Sequence, residues 1–207
     1  MSNPWEEISL DDYEKHMSLE SVGQLQMMNL IMKQQLEDYP VNTAMIFGIA
    51  GGNGLEHVRR DKYVKVYGVD INADYLCKTQ KRYPNLSGVL ECVNVDLVSE
   101  YFKLPQAQLV IANLLIEYIG YAAFQKAVLQ VKPRYVSCTI QINTGTDDWV
   151  SDSPYLHAFD RLDEIHHQME KTKLEQAMQK IGYQTISQMT HNMPNGKALL
   201  RLDFEIV

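Results

Sequence analysis

The chain has 207 residues, enough for one domain with a sizeable core, and its 45% hydrophobic and 22% charged composition is ordinary for a folded protein. A formal net charge of −7 argues against a nucleic-acid partner, which calls for a clustered basic surface. Residues 1–40 carry neither a basic start with an apolar signal core nor a span of about 20 apolar residues, so no membrane partner is expected and the reading is cytoplasmic.

In chain order, residues 1–40 read as a helical cap. Ser18 is the expected N-cap, with Glu20 and Ser21 in the first turn and Val22, Leu25, Met28, Met32 and Leu36 at helical spacing. Tyr39-Pro40 ends it, because a residue before proline is pushed out of the helical region. Residues 41–207 then alternate. Strands are expected over 44–48, 64–69, 88–95, 108–112 and 135–142, with helices around 55–60, 72–83 and 122–131. A helix over 160–181 follows, with Gly182 placed to end it. The last two strand-like runs, 183–190 and 198–207, are joined by 191–197, too short for a crossover helix. They are expected to pair antiparallel. The fold class is therefore α/β, a doubly wound, mostly parallel seven-stranded sheet with an antiparallel C-terminal strand and an N-terminal helical cap.

The most informative stretch is Phe47-Gly48-Ile49-Ala50-Gly51-Gly52-Asn53-Gly54, which follows an apolar strand and is expected to open a helix. Glycines allow a tight turn and close approach of a ligand, and a helix start offers unpaired N–H groups. Asp70 ends the next strand, where a carboxylate can accept hydrogen bonds from both hydroxyls of a ribose. The alternative is a ligand-free glycine connection with a helix-capping aspartate. A nicotinamide enzyme fits less well. Counting G-x-G-x-x-G from Gly48 puts Ala50 at the second glycine, and counting from Gly52 puts His57 at the third.

With these residues the sequence resembles the class I S-adenosylmethionine-dependent methyltransferases, of Rossmann-like fold, over residues 44–207. The resemblance implies a methyltransferase with S-adenosyl-L-methionine as cofactor. Gly48, Ala50, Gly51, Gly52 and Asn53 resemble the family's first motif, whose backbone contacts the methionine part. Asp70 matches the ribose-binding acid, with Ile71 beside the adenine. Asp96 and Leu97 resemble the segment after the third strand, where an acid often reaches the adenine amino group. Asn113 and the following Leu114-Leu115-Ile116-Glu117-Tyr118 resemble the fourth motif, which lines the cofactor and faces the acceptor. Two positions depart from the pattern. Gly48 stands where an acid commonly contacts the cofactor's amino group, and Ala50 replaces a glycine, which calls for a negative φ there.

Methyl transfer from a sulfonium depends mainly on holding the acceptor in line, and a base assists where the acceptor carries a proton. Glu117 and Tyr118 are the candidate catalytic residues; the alternatives are a helix-entry acid and a packed aromatic. Tyr13, His16, Met17, Trp149 and Tyr155 are candidates for the lid or acceptor site. His157, His166 and His167 fit surface or packing roles, the expected role of His16 outside a lid as well, and no metal-ligand spacing occurs. Cys77, Cys92 and Cys138 fit reduced thiols. The expected partner is a small-molecule methyl acceptor. The other readings are a non-catalytic protein that binds S-adenosylmethionine or S-adenosylhomocysteine, and an NAD-linked Rossmann enzyme.

Overall fold

The computed structural model describes residues 3–143, 153–193 and 196–207, with the side chain of residue 143 left out. Seven strands form one sheet: β1 (Thr43–Phe47), β2 (Lys65–Asp70), β3 (Leu90–Asn94), β4 (Leu109–Asn113), β5 (Tyr135–Asn143), β6 (Tyr183–Asn192) and β7 (Lys197–Ile206). Their order is β3-β2-β1-β4-β5-β7-β6. The first five pair in parallel, and β7 runs antiparallel to both β5 and β6. The expected sheet and its reversed last strand are both present.

Alternation along the strands explains the two cores. Met45, Phe47 and Val110 face one side with Phe124, Leu174 and Met178. Ala44, Ile46, Leu109 and Ile111 face the other with Met32, Leu36 and Leu76. The first layer comes from α4 (Ile116–Val131) and α5 (Lys171–Lys180), the second from α2 (Gln24–Glu37) and α3 (Ala73–Arg82). The chain leaves β1 toward β2 and leaves β4 toward β5 on the far side, so a crevice opens at the C-terminal ends of β1 and β4.

Three helix expectations are corrected. Within residues 1–40, α1 (Leu10–Ser18), capped by Ser9, precedes α2. Ser18 ends α1, its hydroxyl donating to Lys15 O at 3.0 Å, so it is no N-cap. Between β1 and β2 there is only a 3-10 turn, Leu55–His57. The sheet face that a helix there would cover is filled by α2, whose Met32, Leu36 and following Tyr39 pack with Leu55, Val66 and Leu109. The expected helix 160–181 is split into a 3-10 segment, Leu156–Glu164, and α5. Ile165 and His166 still donate to Leu162 O, but beyond them the backbone turns to α4. His167 N donates to Glu117 O at 2.6 Å and Glu170 N to the Tyr121 hydroxyl at 3.0 Å. No helix of the described residues is long and apolar enough to cross a membrane.

Candidate functional site

The glycine loop is held from below by side chains. Ala50 N donates to Asp70 Oδ2 at 2.9 Å, the Thr79 hydroxyl donates to Ala50 O at 2.7 Å, and Arg82 donates to Gly51 O at 2.8 Å. These bonds fix Ala50 at φ +47, against the negative φ expected of an alanine. That backbone costs a non-glycine residue roughly 1–2 kcal/mol. A Cβ on Gly51 would meet the side-chain ends of Glu14 and Arg82, which would have to shift where α1 crosses the loop.

Asp70 is buried at the end of β2 and takes a second backbone donor, Asn72 N, on Oδ1 at 2.9 Å. Burial pushes its carboxyl upward in pKa, and the backbone donors oppose that shift. Each oxygen keeps acceptor capacity beyond its backbone bond. Asn72 also caps α3 and donates to Trp5 O at 2.9 Å, while the Tyr75 hydroxyl donates to Ile8 O at 2.8 Å. These two bonds strap the segment before α1 across the crevice.

A cavity with about 700 Å³ of empty space, open solvent at its mouth included, lies under that strap. Gly48, Ala50, Asp70, Ile71, Asp96, Leu97 and Asn113 all line it, brought together from β1, β2, β4 and the turn after β3. Gly51 and Asn53 line a neighbouring cavity under α1 and α2 instead. The Asn53 amide is engaged, accepting from Asn29 and donating to Leu25 O, both at 2.9 Å. Gly52 is packed against Leu55, Thr79 and Tyr83. The Asn113 side chain is paired reciprocally with the Gln35 amide at 2.8 and 2.9 Å, so it braces α2.

A second cavity adjoins the first, sharing Trp5, Tyr13, Leu114 and Tyr118 in its walls. It brings together the candidates Tyr13, His16, Met17, Glu117 and Tyr118. Gly120, at φ +72, breaks α4 and sets its first turn, with Glu117, apart from the rest. Glu117 is 4% exposed, its Oε1 accepts from Gln141 N at 2.8 Å, and its Oε2 has no hydrogen-bond partner among the described residues. Burial pushes its pKa from 4.5 up to about 7. Burial also raises the Tyr118 hydroxyl well above its ordinary range. His16 bonds Ser153 Oγ through Nδ1 at 2.7 Å. Tyr155 packs with Phe159 and Leu162 in a small cluster beside the cavity, and Trp149 lies outside the described residues. His157 is exposed on the 3-10 segment.

Sequence reasoning missed Trp5, Gln24 and Phe159 and set His166 aside as a surface or packing residue; all four line the second cavity. Trp5 sits on a short 3-10 turn, Pro4–Glu6, with an Asn3 capping box. Asn3 three residues before Glu6 was a readable signal of that turn. The other three had no local signal. No group of three or more His, Cys, Asp or Glu able to hold a metal occurs among the described residues.

No family model matches the chain, and no curated protein does. Solved structures do. Magnesium protoporphyrin IX methyltransferase (ChlM) from Synechocystis PCC 6803, with bound S-adenosylhomocysteine, is similar at TM-score 0.68 and 11% identity, covering 95% of this chain and 94% of that one. Geranyl diphosphate C-methyltransferase from Streptomyces coelicolor A3(2) is similar at TM-score 0.67 and 10% identity, covering 90% and 84%. A 4+2 cyclase, SpnF, is similar at TM-score 0.65 and 10% identity, covering 87% and 80%. At these identities the likeness defines architecture, and the fold of this chain is that of the class I S-adenosylmethionine-dependent methyltransferases.

Proposed function

We propose that the chain is an enzyme that transfers a methyl group from S-adenosyl-L-methionine to a small-molecule acceptor. The observation that carries this reading is the pair of adjoining cavities at the C-terminal ends of the strands. One is lined by the glycine loop and two acids, Asp70 and Asp96; the other is lined by a buried carboxyl, Glu117. The donor set fits the cofactor. The remaining acceptor sites of Asp70 suit two ribose hydroxyls, Ile71 and Leu97 offer apolar surface to a purine, and Asp96 stands near the same end. When bound, the cofactor supplies an electrophilic methyl group on a sulfonium. The chain's own part is to orient the acceptor, exclude water and hold a proton at Glu117. Residues 1–40 act as a cap on the domain formed by residues 41–207. A small acceptor fits the second cavity, whose roughly 580 Å³ of empty space includes open solvent at its mouth. Solved neighbours are named for magnesium protoporphyrin IX and geranyl diphosphate, acceptors of that class. A cytoplasmic enzyme without a nucleic-acid partner fits the net charge of −7.

Calorimetry with S-adenosylmethionine and S-adenosylhomocysteine tests the reading. Binding of both is expected, and Asp70→Asn should weaken it by about 1.5–3 kcal/mol, the scale of hydrogen bonds to a charged group. Absence of binding at roughly millimolar ligand, an affinity corresponding to about −4 kcal/mol, would remove the proposal.

A further inference from the structure

Resting on the methyl-transfer reading, we infer that the acceptor is a cationic amine, held by aromatic rings in the second cavity with Glu117 as the base that takes its proton. Trp5, Tyr13, Tyr118 and Phe159 form the walls. The Trp5 ring lies 4.9 Å from Tyr118 and 5.8 Å from Tyr13, at interplanar angles of 83° and 78°, so adjacent walls meet near right angles. Such ring faces attract a cation, most strongly when it is desolvated. Among the described residues no lysine or arginine lines the cavity, and the one acid in its lining is Glu117.

Glu117 Oε2 is buried and lacks a donor among the described residues. A buried oxygen left without a donor costs free energy, more so when it is charged. An ammonium supplies a donor and a compensating charge together; a hydroxyl supplies only the donor. His16 and His166 face the same space, and each is held below the usual histidine range, chiefly by burial. Lys197 adds to the lowering of His16, and His167 to that of His166, against Asp163. Both rings are therefore neutral at neutral pH and do not compete with a bound cation. Tyr13 and Tyr118, the other titratable groups of the lining, are raised by burial and also stay neutral.

The step balances. The ammonium passes one proton to Glu117, and the freed nitrogen lone pair forms a bond to the methyl carbon. The carbon–sulfur bond breaks with its electron pair going to sulfur. A methylated ammonium, a neutral thioether and a protonated Glu117 result, and the carboxyl returns its proton to water.

The test compares protonated 2-(dimethylamino)ethanol, whose nitrogen keeps one N–H, with its neutral carbon analogue, 3-methylbutan-1-ol, as probes of the full chain saturated with S-adenosylhomocysteine. The ammonium is expected to bind about ten-fold more tightly, the scale of a desolvated cation–π site. Glu117→Gln and Phe159→Leu should each remove most of that preference, and neither residue lines the cofactor cavity, so the affinity for S-adenosylhomocysteine should hold. Equal binding of the two probes, or no binding of the ammonium while S-adenosylhomocysteine binds, overturns the amine and leaves the cofactor reading standing. Preference for the ammonium without any S-adenosylhomocysteine binding keeps the cation site and removes methyl transfer.

Discussion

Glu117 is held where a carboxylate is disfavoured, and its position has a consequence for stability as well as chemistry. Its pKa rises from 4.5 to about 7 because burial penalises the charged form. Between those two values the unfolded chain has released a proton that the folded chain keeps. The stability contributed by the group is therefore full below pH 4.5 and is lost as pH rises through about 7. The total loss is about 3 kcal/mol. Urea unfolding of Glu117→Gln beside the unaltered chain should show a gap that widens in favour of the variant by about that amount between roughly pH 4 and pH 8. His16 and His166 titrate in both proteins and cancel in the difference. A gap independent of pH would show that the carboxyl ionises in the folded state near its ordinary value. Two further residues carry local strain at the same place. Ala50 at φ +47 and Leu114 at φ +53 both line the first cavity, where strained backbone is characteristic of binding sites.

Among the elements, α2 is tied to the sheet by a polar network and not by apolar packing alone. Gln35 donates to Asn113 Oδ1 on β4 and to Ser137 Oγ on β5, both at 2.9 Å. Arg201 on β7 donates to Asp203 at 2.9 Å and to Asp38, just past α2, at 2.7 Å. Arg201 and Asp203 are both buried. Breaking such a pair leaves one charge uncompensated, so Arg201→Met should destabilise the chain by about 3–5 kcal/mol. Arg201→Met with Asp203→Leu should recover most of that loss, because the pair is replaced by apolar volume. Denaturant unfolding of the three proteins measures it, and a double variant no better than the single would mean the ion pair itself stabilises the fold. The network also separates what was legible in the sequence from what was not. The strands were legible because alternate residues face two cores, a pattern written locally in runs such as Ala44-Met45-Ile46-Phe47. The missing helix after the glycine loop was not, because α2 covers that face from a distant part of the chain. The same holds for the site. Asp70, which ends β2, was singled out from strand order, and Ile71, Asp96 and Leu97 from the resemblance; all four line the first cavity. Trp5 and Phe159 reach the second cavity only through tertiary packing of the N-terminal strap on the 3-10 segment. Asn53 and Asn113 sit at motif positions, yet their amides are spent on Asn29, Leu25 and Gln35, contacts that no spacing announces.

For the whole molecule, the crevice is closed from above by a segment that makes few bonds to the sheet below. Asn72 to Trp5 O and Tyr75 to Ile8 O hold the strap to α3, and Arg82 pairs with Glu14 across α1 at 2.9 Å. A ligand under that strap touches β1, β2 and β4, the turn after β3 and the N-terminal segment at once. It therefore binds only when all of them are in place, and it stabilises the folded chain by mass action. At one hundred times its dissociation constant, S-adenosylhomocysteine should add about 2.7 kcal/mol. For a chain of 207 residues that corresponds to a rise in melting temperature of roughly 5–10 °C. NADH should give no rise, since its pyrophosphate calls for the start of a helix after the loop and only the 3-10 turn Leu55–His57 stands there. Differential scanning calorimetry with each ligand distinguishes the two. A rise with NADH and none with S-adenosylhomocysteine would assign the cavity to a dinucleotide, and the short turn would then have to be read as sufficient to hold its phosphates.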